Sequence, residues 1–224
     1  MKQIIIAIDG PAGSGKTSSA KIVAEKLNYI YIDTGAMYRA VTLAWLREKV
    51  PLTAEKLKEV IDTINITLEP SANGQITKLN DEDVSEAIRS EEVNRFVSQI
   101  SADKYVREAM VNLQRKLAEG KGCVMDGRDI GTTVFPNAAL KIYLTASIGA
   151  RAKRRLNEYA EKGITGLGFN EIATQILERD RFDSNREVSP LRKANDAIEI
   201  DTSNLTLQEQ SEKIYKLALD IINN

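Results

Sequence analysis

"IIIAIDGPAGSGKT", Ile4 to Thr17, sets an apolar run directly against a glycine-rich turn that ends in lysine and threonine. Its second part, Gly10 to Thr17, matches the phosphate-binding pattern G-x-x-x-x-G-K-[ST]. The flanks agree with that pattern, since a β-rich run (Ile4 to Ile8) precedes it and a helical period (Ser18 to Leu27) follows. Strand, loop and helix in this order suit an anion. The glycines let backbone N–H groups turn inward around phosphate oxygens, and the positive end of the next helix points the same way. Gly10, Pro11, Ala12, Gly13, Ser14, Gly15, Lys16, Thr17 and Ser18 are therefore the candidate triphosphate-binding residues. Lys16 suits the β- and γ-phosphates, and the Thr17 hydroxyl suits Mg²⁺. A dinucleotide fingerprint fits worse, because from Gly13 the pattern G-x-G-x-x-G requires a glycine where Ser18 stands.

Outward from this loop, short apolar runs alternate with longer helical periods. The runs are Ile4 to Ile8, Tyr29 to Ile32, Cys123 to Met125, Leu140 to Leu144 and Ala197 to Ile200. Continuous hydrophobicity without alternation suits strands buried on both faces, so an α/β fold with a parallel sheet flanked by helices is expected. Helices are expected after each strand, as at Met37 to Glu48, and the last carries a capping box, Thr206 followed by Glu209. One stretch breaks the rhythm. "INITLEPSANGQITKL", Ile64 to Leu79, predicts two strands around Asn73-Gly74, a hairpin foreign to a βαβ repeat. Residues 62–95 are expected to be an insertion in a single domain spanning 1–224.

Composition narrows the chemistry. The chain has 224 residues, 28% of them charged, with a formal net charge of -1, so no excess of basic charge points to nucleic acid. It has one cysteine and no histidine, which rules out an intramolecular disulfide and an imidazole base. The N-terminal apolar run is too short for a signal peptide, and no segment approaches the roughly 20 apolar residues of a membrane span. A cytoplasmic protein without membrane or nucleic-acid partners is expected.

A nucleoside triphosphate site serves switches, motors and kinases alike. The GTPase motifs D-x-x-G and N-K-x-D are absent from the sequence. A kinase needs a second pocket for an acceptor, and "YIDTGAMYR" supplies a candidate: Thr34 can cap a helix and Arg39 lies about one turn inside it. Both fall near the carboxyl ends of the strands, where open α/β sheets bind ligands. An ordinary cap followed by a solvent-facing arginine is the plainer alternative.

The chain resembles the nucleoside monophosphate kinases, and specifically the bacterial cytidylate kinases. The likeness runs from about Ile8 to about Asp201 and rests on "IDGPAGSGKT", "DTGAMYR", the hairpin insertion, "DGRDIGTTVFP", "RAKRR" and "ERDRFDSNR". It implies a five-stranded parallel sheet with a lid and a substrate-binding region, and transfer of the ATP γ-phosphoryl group to CMP or dCMP with Mg²⁺. It also separates the charges of DGRD. Asp126 suits Mg²⁺ or its waters, Arg128 a forked contact with the acceptor phosphate, and Asp129 the cytosine amino group. The spacing of Ser98 and Arg107 matches the pair that contacts cytosine beside that aspartate. Arg179 and Asp183 match ribose-binding positions and Arg186 a phosphate-binding one. At i, i+4 on a helix, Arg179 and Asp183 also suit a plain salt bridge. Phe182 and Ser184 depart from versions of this segment richer in arginine, which implies a weaker phosphate clamp.

"RAKRR", Arg151 to Arg155, puts four cations in five residues where related kinases have a lid helix, about 149–168. Such charges can close over ATP and neutralise the transferring phosphoryl group. A nucleic-acid patch is the rival, but no aromatic platform accompanies it. The expected reaction is in-line transfer. Lys16, Mg²⁺, Arg151 and Arg155 neutralise the donor, and Arg39, Arg128 and Arg186 align the acceptor. A kinase for UMP or another small phosphate acceptor is the alternative within the class, and a non-catalytic nucleotide-binding regulator is the alternative outside it. The family resemblance implies a monomer.

Overall fold

The computed structural model describes residues 2–71, 74–161, 163 and 166–224. The chain runs β1 (Ile5–Asp9), α1 (Lys16–Leu27), β2 (Ile30–Asp33), α2 (Thr34–Glu48), α3 (Ala54–Thr63), β3 (Ile66–Ser71), β4 (Gly74–Leu79) and β5 (Glu82–Asp83). It continues with α4 (Glu91–Ile100), α5 (Lys104–Ala118), β6 (Cys123–Gly127), β7 (Leu140–Thr145), α6 (Ile148–Glu161), α7 (Phe169–Asn185), β8 (Ile198–Asp201) and α8 (Leu207–Asn223). Among the described residues, five strands form one parallel sheet in the order β2-β6-β1-β7-β8.

The apolar runs form these strands because each face of the sheet meets a layer of helices. On β1, Ile6 and Ile8 enter the core beneath α1 and α8, while Ala7 faces the larger core built on α2, α4 and α5. On β6, Val124 joins the first side and Met125 the second. Strands buried on both faces read as continuous apolar runs. The chain leaves β1 for one edge, returns at β6 and then crosses to β7 on the far side of β1. That reversal opens a crevice at the carboxyl ends of β1, β6 and β7.

The expected hairpin strands pair antiparallel from Ile66↔Leu79 to Ser71↔Gly74, with Asn73 of the expected turn outside the described residues. A third, two-residue strand, β5, adds to β4, which the sequence reading did not foresee. Residues 62 and 95 fall inside α3 and α4. Of the expected lid segment, Lys162, Ile164 and Thr165 lie outside the described residues. Helix α1 begins at Lys16, two residues before the expected start, because the loop feeds straight into its first turn.

Gly10 fixes how closely β1 and β7 approach at the mouth of this crevice. Its φ is 145°, and a Cβ there would lie 2.1 Å from the Leu144 carbonyl oxygen. Gly149, near the start of α6, has open space around the same position. Urea unfolding should therefore show Gly10→Ala destabilised by about 3 kcal/mol, with Gly149→Ala unchanged or stabilised by up to about 1 kcal/mol.

Candidate active site

The crevice is a cleft of about 560 Å³. One end is the phosphate loop. Gly13 and Gly15 take positive φ angles of 74° and 90°, and Gly15, Lys16, Thr17 and Ser18 line the cleft, where the first N–H groups of α1 have no intrahelical partner. The loop's carbonyls are occupied by donors from all over the chain. Lys16 Nζ and Ser14 Oγ donate to Pro11 O at 2.7 and 3.1 Å, Arg151 to Ala12 O at 3.1 Å and Thr202 Oγ1 to Ser14 O at 3.0 Å. Gln210, from α8, donates to Gly15 O at 3.4 Å and to Ser19 Oγ at 2.7 Å.

Beside the loop stands Asp126, the last buried residue of β6. Its Oδ2 accepts from Thr17 Oγ1 and its Oδ1 from Tyr31 OH, both at 2.8 Å, and its carbonyl accepts from Thr34 Oγ1 at 2.7 Å. Burial and then the neighbouring Asp33 raise its carboxyl to about 6, with Lys16 pulling the other way. Thr17 and Asp126 thus place two hard oxygen donors together next to the phosphate loop. Among the described residues no group of three or more acidic, histidine or cysteine side chains gathers there. This set fits Mg²⁺, which binds through one or two protein oxygens and completes its shell with water and phosphate oxygens.

The opposite end is built by the turn after β6. Asp9, ending β1, accepts from the N–H groups of Ile130 and Gly131 at 2.8 and 2.7 Å, which pins the turn immediately after Asp129. Asp129 is buried, pairs with Arg107 and lies 3.6 Å from Arg186. Arg107 also stacks over Tyr38, 5.4 Å from the ring centroid, and donates to Ser101 O at 3.2 Å. Between the two ends, Arg128 donates to Asp183 at 2.9 Å. Burial opposes charge on both partners, yet their attraction leaves Arg128 above and Asp183 below its usual range.

Several cations in the cleft lack such balance. Burial, then Arg128, pulls Lys16 well below its usual value. The same two causes lower Arg179 to about 9, and its Nε has no partner. Burial lowers Arg39 to about 10, while its guanidinium donates to Asn94 at 2.5 Å and Ile88 O at 3.4 Å. Cations crowded together in a cleft suit an anion of high charge.

Most of the expected residues meet in this one cleft. Lys16, Thr17, Thr34, Arg39, Arg107, Asp126, Arg128, Asp129, Arg155, Arg179, Asp183 and Arg186 all line it. Four expectations change. Asp33, not Thr34, caps α2, accepting from Ala36 N at 2.9 Å, because Thr34 is already inside the helix and spends its hydroxyl on β6. Ser98 is not among the lining residues, whereas Val97 and Ser101 on either side are. Arg151 is buried against Ala12, Ala146 and Asp180 and does not line the cleft. Arg154 and Arg155 do line it, Arg154 bonding to Thr202 and Arg155 standing 3.5 Å from Glu158. Asp183 pairs with Arg128 rather than with Arg179 four residues earlier. Tyr31, Asp33 and Gln210 were missed. For Tyr31 the signal was its place in a strand facing the phosphate-loop helix.

The sheet order, the phosphate loop and the cleft across the strand ends define a P-loop kinase. Shikimate kinase from Bacteroides thetaiotaomicron has this fold at a TM-score of 0.51 and 16% identity, covering 99% of both chains. An uncharacterized protein from Eubacterium ventriosum superposes at 0.54 with 15% identity, over 98% of this chain and 99% of that one. Sequence comparison is more specific. The family model described as cytidylate kinase matches residues 6–220. The cytidylate kinase of Bacillus subtilis is 53% identical over 96% of each chain, and that of Bacillus anthracis 48% identical over 98% of each. The chain belongs to the cytidylate kinase family.

Asp9 yields a pH prediction. Its carboxyl is raised to about 6, with burial the largest cause. A carboxyl whose folded pKa lies above its unfolded value binds more protons when folded, so its contribution to stability falls as pH rises between about 4 and 6. Urea unfolding from pH 4 to 7 should show a decline in the unmodified protein that is shallower in Asp9→Asn.

Proposed function

We propose that the protein transfers the γ-phosphoryl group of ATP to CMP or dCMP, releasing ADP and CDP or dCDP. The observation that carries this reading is the single cleft itself. It joins a phosphate loop to a buried, arginine-held carboxylate across a belt of cations left short of negative charge. Two phosphorylated substrates meeting end to end would supply that charge.

The roles follow from position. The N–H groups at the start of α1 and Lys16 hold the β- and γ-phosphates. Thr17 and Asp126 would hold Mg²⁺, which when bound neutralises phosphate charge. Arg39, Arg128 and Arg186 face the acceptor phosphate, and Arg128 can approach it as a forked donor. Asp183 and Arg179 take the ribose hydroxyls. Asp129, with its carboxylate oriented by Arg107, accepts from the cytosine amino group, where uracil presents an acceptor instead. No histidine is required, because the acceptor phosphate is already an anionic nucleophile and the enzyme's task is alignment and neutralisation.

We take 62–95 as the acceptor-binding insertion and 149–168 as a lid, with Arg154 and Arg155 its cleft-facing cations. Closing such a lid excludes water, a competing acceptor. No helix among the described residues is long and apolar enough to cross a membrane. We take the protein as a cytoplasmic monomer.

The two aspartates of DGRD separate the roles. Asp126→Asn should depress turnover with every acceptor, shift the Mg²⁺ dependence and leave base choice alone. Asp129→Asn should lower kcat/KM for CMP and narrow its advantage over UMP by about 1 to 3 kcal/mol. Kinetics with CMP and UMP on both folded variants test this. An unchanged CMP/UMP ratio in Asp129→Asn means that this residue does not read the base. Lys16→Ala should cost about 3 kcal/mol or more in kcat/KM with the fold retained, and near-normal kinetics there would remove the phosphate-loop assignment.

A further inference from the structure

Arg151 and Asp180 stand outside the cleft, yet together they grip one residue of the phosphate loop. Arg151 donates to the Ala12 carbonyl at 3.1 Å, and Asp180 Oδ1 accepts from the Ala12 N–H at 3.1 Å. The two side chains pair directly with each other. Both polar groups of Ala12 are thus held by one ion pair. Arg151 is further fixed by its Nε, which donates to Ala146 O at 3.0 Å. Its Cβ also packs under the loop, 3.2 Å from where a Cβ on Gly13 would sit.

The pair joins three parts of the site. Arg151 belongs to α6 and Asp180 to α7. Asp180 follows Arg179 and precedes Asp183 by three residues, and both of those line the acceptor half of the cleft. One helix therefore carries acceptor-side groups and a handle on the donor loop. The pair is mostly buried, with side chains 8% and 17% exposed. Removing one partner leaves a charge poorly solvated, which makes the grip sensitive to either residue.

We propose that Asp180 and Arg151 are positioning residues that lock Ala12, holding the phosphate loop in the shape that binds the donor and at a fixed distance from the acceptor groups of α7. Neither touches substrate; both act through the loop. The idea rests on the phosphoryl transfer assigned above, but its test does not need turnover.

The test compares ADP and CMP dissociation constants, each measured alone by calorimetry, together with Tm. In Asp180→Asn the amide can still accept from Ala12, but it sets a donor against the guanidinium. ADP binding should weaken about tenfold, the size of a lost hydrogen bond between charged groups. CMP binding should stay unchanged, and in turnover kcat should fall while the KM for CMP holds. Unchanged ADP binding overturns the proposal. Equal weakening of ADP and CMP with a lowered Tm also overturns it, since that is the mark of a scaffold contact. Should Asp180→Asn not fold, Arg151→Lys carries the same comparison, because it keeps the charge and loses the fork. Absence of CMP turnover in the unmodified protein would overturn the assigned reaction and leave the ADP comparison standing.

Discussion

Charge buried at the carboxyl ends of the parallel strands has to be compensated inside the fold, and this constraint arranges everything around the cleft. The sheet delivers Asp9 and Asp126 to neighbouring positions on β1 and β6, both nearly inaccessible to solvent. Each finds fixed donors: Asp9 two backbone N–H groups of the DGRD turn, Asp126 the hydroxyls of Thr17 and Tyr31. Asp129 and Asp183 take arginines. Buried pairs of this kind contribute little net stability, because desolvation consumes most of the attraction. Their effect is geometric. Each pair ties an element that carries a candidate contact to another element that cannot move freely.

The compensation is deliberately incomplete in one place. Lys16 is buried and Arg39 and Arg179 half-buried, all with other cations nearby, and each is held below its usual range. Such a cluster of cations favours an anion bound between them. The absence of histidine from the sequence fits such a device. On the proposed reaction, preorganised charge would do the work that an imidazole does in enzymes that must first generate a nucleophile.

How much of this was legible in the sequence depends on how local each feature is. The phosphate-loop motif is a contiguous pattern of glycines, lysine and threonine, and it could be read directly. The parallel strands were equally plain, since two-sided burial leaves an unbroken apolar run. Strand β5 was invisible because its two residues, Glu82 and Asp83, are exposed and acidic, and they are placed by pairing with β4. Asp33 and Thr34 are both good caps, and only the position of the Thr34 hydroxyl against β6 decides between them. RAKRR announced its charge but not its depth, since Arg151, Arg154 and Arg155 share one face of α6 a turn apart. Arg151 turns under the loop and Arg154 and Arg155 turn into the cleft, which follows from where α6 starts and what packs against it. Asp180 went unnoticed for the same reason, as its partner Ala12 is 168 residues away.

The proposed reaction needs one cleft to join a triphosphate loop to a carboxylate that reads cytosine. A coupled assay of ADP release from ATP, run with CMP, dCMP, UMP, AMP and shikimate as acceptors, tests it most directly. The highest kcat/KM is expected with CMP and dCMP, with UMP well below them and AMP and shikimate near background. Turnover of UMP, AMP or shikimate at or above the rate with CMP, or no turnover with any acceptor, would contradict it.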